Sequence, residues 1–251
     1  MPSRPLVIGV STKMYLGYAR SLAWLDGVRR ELLSRQLDGV ETFVAPSFPL
    51  LESAARILDE TGCRIAAQNC AGFVGMDRAG GAATGEVPAG MLAELGVRIV
   101  EIGHAERRAL FGETDEVVAA KTRAALAAGL TPLLCIGETA HGSPEEAAAV
   151  CLAQADATLG DADPASVLFA YEPVWAIGAA DPADPAHVGD VLVRIRTRLA
   201  RRSSGAVRII YGGSARPGLL PRLPEADGLF LGRFAHDPVN FGAVLDDALA
   251  A

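Results

Sequence analysis

Eight short apolar runs with helical segments between them constrain this chain more than any other feature. The runs are Leu6–Ser11, Val40–Ala45, Arg64–Gln68, Arg98–Ile102, Pro132–Ile136, Val167–Tyr171, Arg208–Tyr211 and Gly228–Leu231. They are continuous rather than alternating, as parallel strands covered on both faces require. Eight of them in 251 residues is one per roughly 31, the size of a strand–helix unit. A closed ring of eight parallel strands inside eight helices, a (β/α)8 barrel, uses every run and leaves no unpaired edge. The competing arrangement is an open doubly wound sheet. That fold calls for a glycine-rich phosphate turn after the first strand, and Gly9-Val-Ser-Thr-Lys-Met is not one.

The intervening segments carry helix signals. Leu22, Leu25, Val28 and Leu32 form a helical stripe. Thr114 is placed to cap a helix that opens with Asp115 and Glu116. Ser143-Pro144-Glu145-Glu146 puts a cap, a first-turn proline and two acids in order, and Asp237-Pro238 does the same for the last helix. No linker-like stretch interrupts the alternation, so one barrel domain over residues 1–251 is expected.

Composition narrows the function classes. Half the residues are hydrophobic, which supplies one large core and excludes disorder. Lys and Arg number 23 against 30 Asp and Glu, and the resulting formal charge of −7 argues against a partner built on phosphate backbones or an anionic membrane. Cys63, Cys70, Cys135 and Cys151 form no C-x-x-C pair and read as free thiols of a reducing compartment. No run approaches the ~20 apolar residues of a membrane span. The start, MPSRPLVIGV, enters the first strand with no cleavable apolar region. A cytoplasmic location is the expectation. The four histidines and the acids show no ligand spacing, so no metal is expected.

The chemistry-bearing residues collect where strands end. Lys13 follows the first run, His104 the fourth, Glu172 the sixth, Gly212-Gly213 the seventh and Gly232 the eighth. Each has an ordinary reading alone: a solvated lysine, a structural histidine, a turn acid, a tight glycine turn. In a barrel, however, all lie on the C-terminal rim and meet over one mouth.

Four segments then carry a resemblance. Glu101-Ile-Gly-His-Ala-Glu-Arg-Arg108, Cys135-Ile-Gly-Glu138, Ala170-Tyr-Glu-Pro-Val-Trp-Ala-Ile-Gly178 and Tyr211-Gly-Gly-Ser214 resemble the motifs of the triosephosphate isomerase family, in order and over nearly the whole chain. The resemblance implies a TIM barrel, no cofactor, a homodimer and a small phosphorylated sugar as substrate. It implies that glycerone phosphate and glyceraldehyde 3-phosphate are interconverted through an enediol(ate). Glu172 would then be the general base, His104 a neutral electrophile and Lys13 a fixed positive charge. Glu106 resembles the acid that holds this lysine. A short helix opening at Ala105 would aim backbone N–H groups at the imidazole and disfavour its protonation. Pro173, Val174, Trp175, Ala176, Ile177 and Gly178 resemble the family's lid, with Trp175 and Ile177 shielding the intermediate. Phosphate would rest on Gly178, Ser214 and Gly232, near a short helix beginning around Arg216-Pro217.

The chain departs from the family pattern at its substrate end. Ser11 stands where the family has asparagine, and Ala105 where it has serine. The lid's far hinge is Ala179-Ala180-Asp181-Pro182-Ala183. After the last strand the chain reads Gly232-Arg233-Phe234-Ala235 rather than Gly-Gly-Ala-Ser. Arg233 is placed either to grip phosphate or an additional substrate oxygen, or to point outward as a surface charge. This loop resembles a branch of the family acting on the four-carbon erythrulose phosphate. The resemblance also puts a dimer loop in Cys70–Gly85, with Thr84 near the partner's site. A triose isomerase is therefore the first reading, a tetrulose-phosphate isomerase the second, and a non-catalytic sugar-phosphate binder the third.

Overall fold

The computed structural model describes residues 4–72, 81–177 and 183–251. Its strands are β1 (Leu6–Ser11), β2 (Val40–Ala45), β3 (Arg64–Ala67), β4 (Ile99–Ile102), β5 (Thr131–Ile136), β6 (Leu168–Tyr171), β7 (Arg208–Gly212) and β8 (Gly228–Leu231). They pair in sequence order, all parallel, and β8 closes on β1. The expected ring is therefore observed, with strand boundaries within a residue of those read from the apolar runs.

The helices are α1 (Tyr18–Leu33), α2 (Leu51–Leu58), α3 (Ala89–Glu94), α4 (Ala105–Phe111), α5 (Asp115–Ala127), α6 (Pro144–Leu159), α7 (Pro185–Ala200) and α8 (Pro238–Leu249). Two helices follow β4. Between β7 and β8 the chain holds only a 3₁₀ turn, Leu220–Arg222. Pro217, Pro221 and Pro224, with Gly218 at φ +82°, explain why no α-helix forms there. The helix expected near Arg216-Pro217 is consequently absent. A 3₁₀ turn at Arg233–His236, directly after Gly232, takes that place beside the site.

The caps vary in how far they match expectation. Ser143 forms a full capping box: its Oγ accepts from the Glu146 N–H, and the Glu146 carboxylate accepts from the Ser143 N–H at 2.8 Å. Asp237 accepts from the Val239 N–H at 3.0 Å. Thr114 occupies the N-cap of α5, but its side chain caps no backbone N–H. Its hydroxyl is engaged by the Glu116 carboxylate instead.

The core has two layers. Val10, Leu25, Val28, Leu134, Ile195 and Val244 belong to the shell between strands and helices. Val7, Phe43, Ile99, Leu133, Cys135, Leu168, Ile210 and Phe230 fill the barrel interior. The interior is packed, so a site built from strand ends belongs at its C-terminal rim. Because side chains alternate along a strand, the interior-facing set continues upward from Ile99 to Glu101, from Val7 to Ser11 and from Ala170 to Glu172. Polar groups thus cap a dry core at one rim. Among the described residues no helix is long and apolar enough to cross a membrane.

Candidate active site

A cavity of about 290 Å³ opens at that rim, lined by Ser11, Lys13, Tyr15, His104, Glu106, Glu172, Ile177, Gly213, Ser214, Gly232 and Arg233 among others. Every sequence-derived site residue in the described chain outside the lid therefore lines one cavity. Gly178 lies outside the described residues.

Lys13 leaves β1 in a left-handed conformation, with φ +47°, the one non-glycine residue among those described to have positive φ. Such a backbone is held by its surroundings. The Lys13 carbonyl accepts from Ser47 Oγ at 2.9 Å and Gln68 Nε2 at 3.0 Å. Its ammonium donates to Glu106 Oε1 at 2.7 Å. Burial alone would lower the ammonium's pKa, but the Glu106 hydrogen bond and the carboxylates of Glu106, Glu172 and Glu101 outweigh it and raise it. Lys13 is therefore a permanent cation at this mouth.

His104 is the N-cap of α4. The Glu106 N–H donates to its Nδ1 at 3.1 Å. Nδ1 is thereby an acceptor, which leaves the proton of the neutral ring on Nε2. The ring is buried, and burial lowers its pKa; Lys13 acts in the same direction, while Glu101 and Glu106 oppose. The neutral imidazole read from the sequence thus has two supports, desolvation and a helix N-terminus.

Glu172 follows β6 and is 4% exposed. Its Oε2 lies 3.5 Å from His104 Nε2. Burial pushes its pKa up to about 7, against the pull of Lys13. Two glycines make room for it. A Cβ on Gly212 would stand 2.7 Å from Glu172 Cγ, and one on Gly137 would overlap the Glu172 carbonyl. Gly212, at the end of the seventh run, thus has its close contact with the carboxylate.

The lid residues divide in two. Val174–Ala176 form a 3₁₀ turn behind Pro173. Ile177 lines the cavity, as expected. Trp175 does not. Its indole N–H donates to Glu138 Oε1 at 2.7 Å, its ring meets His141 edge-on at 4.6 Å, and Tyr171 donates to the same Glu138 oxygen at 3.1 Å. Glu138, quoted in a motif but given no role from sequence, is thus the acceptor that anchors this lid turn.

Ser214 and Gly232 both line the cavity, and the Ser214 hydroxyl donates to the Ala176 carbonyl at 3.3 Å. Arg233 lines the cavity rather than pointing away, with its guanidinium 5.8 Å from the centre of the Tyr15 ring. Ser11 does not reach toward the imidazole directly. Its hydroxyl donates to Glu101, a buried carboxyl that sequence reasoning passed over. Thr84 and Gly85 form a turn, while residues 73–80 of the expected dimer loop lie outside the described chain. No group of three or more His, Cys, Asp or Glu among the described residues is arranged to hold a metal ion.

One cavity therefore holds a buried carboxylate of raised pKa, a neutral imidazole donor, a fixed cation and glycine-rich turns. Such a set can take a proton from carbon, stabilise the oxyanion formed and hold an anionic group. Known proteins with this fold give that chemistry a family. The triosephosphate isomerase family model matches residues 6–248. An L-erythrulose-1-phosphate isomerase from Pectobacterium atrosepticum is 45% identical, over 99% of this chain and 97% of its own. A triosephosphate isomerase from Solibacter usitatus is 37% identical, over 97% and 99%. The crystal structure of triosephosphate isomerase from Bartonella henselae superposes with a TM-score of 0.82 at 30% identity, covering 98% of this chain and all of that one. With a barrel of the same architecture and a rim carrying these groups, the chain belongs to the triosephosphate isomerase family of aldose–ketose isomerases.

Proposed function

We propose that this chain isomerises a small ketose phosphate by moving a proton between adjacent carbons through an enediol(ate), with Glu172 as base. The observation that carries the reading is the pair formed by Glu172 and the His104 Nε2–H, 3.5 Å apart at the dry end of the barrel and beside Lys13. Glu172 takes a proton from the carbon next to the carbonyl. The electron pair moves onto the carbonyl oxygen, where the His104 N–H and the Lys13 ammonium stabilise it. Glu172 then returns the proton to the neighbouring carbon, while His104 passes a proton between the two oxygens. Nothing is gained or lost overall. Phosphate rests against Ser214, Gly232 and Arg233, and Ile177 of the lid shields the intermediate from water.

Family membership supports the triose pair, glycerone phosphate and glyceraldehyde 3-phosphate. A second reading, a four-carbon ketose phosphate, is favoured by two observations. Arg233 lines the cavity, with its guanidinium beside the Tyr15 ring. L-Erythrulose-1-phosphate isomerases from Pectobacterium atrosepticum and Mesorhizobium japonicum are 45% and 40% identical to the chain. These weigh the substrate choice toward four carbons. Measured kcat/KM for glycerone phosphate beside L-erythrulose 1-phosphate decides it. Faster triose turnover rejects the four-carbon reading, a large tetrulose preference rejects the triose, and no turnover of either rejects the isomerase.

The expected homodimer is supported by the family and by Met14, next to Lys13, which is 90% exposed. Sedimentation at equilibrium tests it: a monomer would contradict it. Four cysteines free of disulfides support a cytoplasmic location.

A further inference from the structure

The interior of the barrel holds a second carboxyl that the reaction above does not use. Glu101 lies mid-strand in β4, between Val100 and Ile102, whose side chains face the helices; its own faces inward above Ile99. It is 4% exposed. A glutamate there is unusual because a buried charge is destabilising unless something holds it. Two groups do. Ser11 Oγ, from β1 on the other side of the chain's numbering, donates to Glu101 Oε2 at 3.1 Å. Glu101 Oε1 lies 3.9 Å from His104 Nε2. That is the same nitrogen whose proton faces Glu172 at 3.5 Å.

We propose that Glu101 is a positioning residue of the catalytic pocket: its carboxyl holds the Ser11 hydroxyl and lies beside the same His104 N–H that faces Glu172, so that the two carboxyls are coupled in how readily each gives up a proton. The proposal rests on the reading of Glu172 as base.

The groups around Glu101 agree with this. Lys13, beyond the end of β1, is the one cation acting on it, and His104 and Glu172 are its other charged or titratable partners. Cys135 on β5 also faces it, but burial, aided by Glu172 and Glu101, keeps that thiol neutral. Glu106 acts on His104 and Glu172 and is held by Lys13. Burial, together with Glu172, raises the pKa of Glu101, against His104, Lys13 and the Ser11 hydrogen bond. Two carboxyls beside one imidazole nitrogen titrate as a pair. Removing the charge of one lowers the pH at which the other ionises, by on the order of one pH unit at such separations.

The test is the titration of Glu172 in Glu101→Gln and Ser11→Ala. Carbon-13 spectra of protein labelled at glutamate side-chain carboxyls identify the Glu172 signal by its loss in Glu172→Gln, without any substrate. In Glu101→Gln the Glu172 signal is expected to titrate about one pH unit lower than in the parent. The acid limb of kcat/KM is expected to move with it. Ser11→Ala, a smaller change that leaves the fold intact, deprives Glu101 of its donor and keeps it protonated to higher pH; the Glu172 signal again moves down. An unmoved Glu172 titration in these variants overturns the proposal, even if kcat falls. Full turnover in Glu172→Gln would instead overturn the assignment of the base, which separates the two failures.

Discussion

Replacing Glu172 with glutamine should make the protein more stable at alkaline pH while removing its turnover. The carboxyl is 4% exposed, and burial raises its pKa to about 7. In the unfolded chain a glutamate ionises near ~4.3. At about 1.4 kcal/mol per decade, holding the charge in the folded state above pH 7 costs about 4 kcal/mol. The sign follows from proton uptake. Between ~4.3 and 7 the folded state binds the proton more tightly, so the parent loses stability as pH rises through that window. Glutamine binds no proton. Its advantage should therefore be largest at pH 8 to 9 and mostly gone by pH 5. For a chain of this size about 4 kcal/mol corresponds to roughly 8–16 °C in Tm. Thermal unfolding of both proteins at pH 5 and pH 8.5, at one fixed protein concentration, reads it. Any packing difference between carboxylate and amide is the same at both pH values, so the difference of differences isolates the charge. An equal Tm shift at pH 5 and 8.5 would refute the reasoning, because the carboxylate would then not be held under strain by its burial.

Other substitutions read the site from different sides. Glu172→Asp withdraws the base by about one carbon–carbon bond, and kcat should fall on the order of 10²-fold with little change in KM; undiminished kcat contradicts the base assignment. Gly212→Ala would place a methyl 2.7 Å from Glu172 Cγ, so kcat should drop at least about tenfold while circular dichroism stays native; normal turnover would mean the carboxylate does not need its present position. Arg233→Gly should shift the kcat/KM ratio of tetrulose to triose phosphate toward the triose, and an unchanged ratio removes Arg233 from substrate choice.

The barrel was legible because its strands are buried on both faces. Leu134 and Ile209 contact the helices, and Leu133 and Ile210 the interior, so apolar residues run unbroken and mark each strand in one dimension. The catalytic rim was legible for a related reason: Lys13, His104 and Glu172 each stop such a run. What the sequence left hidden depends on direction and distance. The Pro217-Gly218 step removes the helix that a glycine-rich phosphate turn would lead one to expect. Nothing near Arg233 in sequence says that Tyr15 offers its ring as a support. Trp175 reads as an apolar shield, yet its N–H is the group that decides its place, because Glu138 accepts it. Glu101 was the hardest. It sits inside a strand of apolar residues, and only the pairing of distant strands brings Ser11, ninety positions away, to its oxygen.

The central claim is that a proton, taken by Glu172, travels between carbons in this cavity. Conversion of the ketose phosphate in deuterium oxide tests it most directly, with the product followed by proton NMR. The account predicts deuterium on the carbon that carried the substrate's carbonyl, since the Glu172 carboxyl exchanges with solvent between turnovers and in part within them. Rapid conversion with no deuterium in the product, the signature of a hydride passing straight from carbon to carbon, would contradict it.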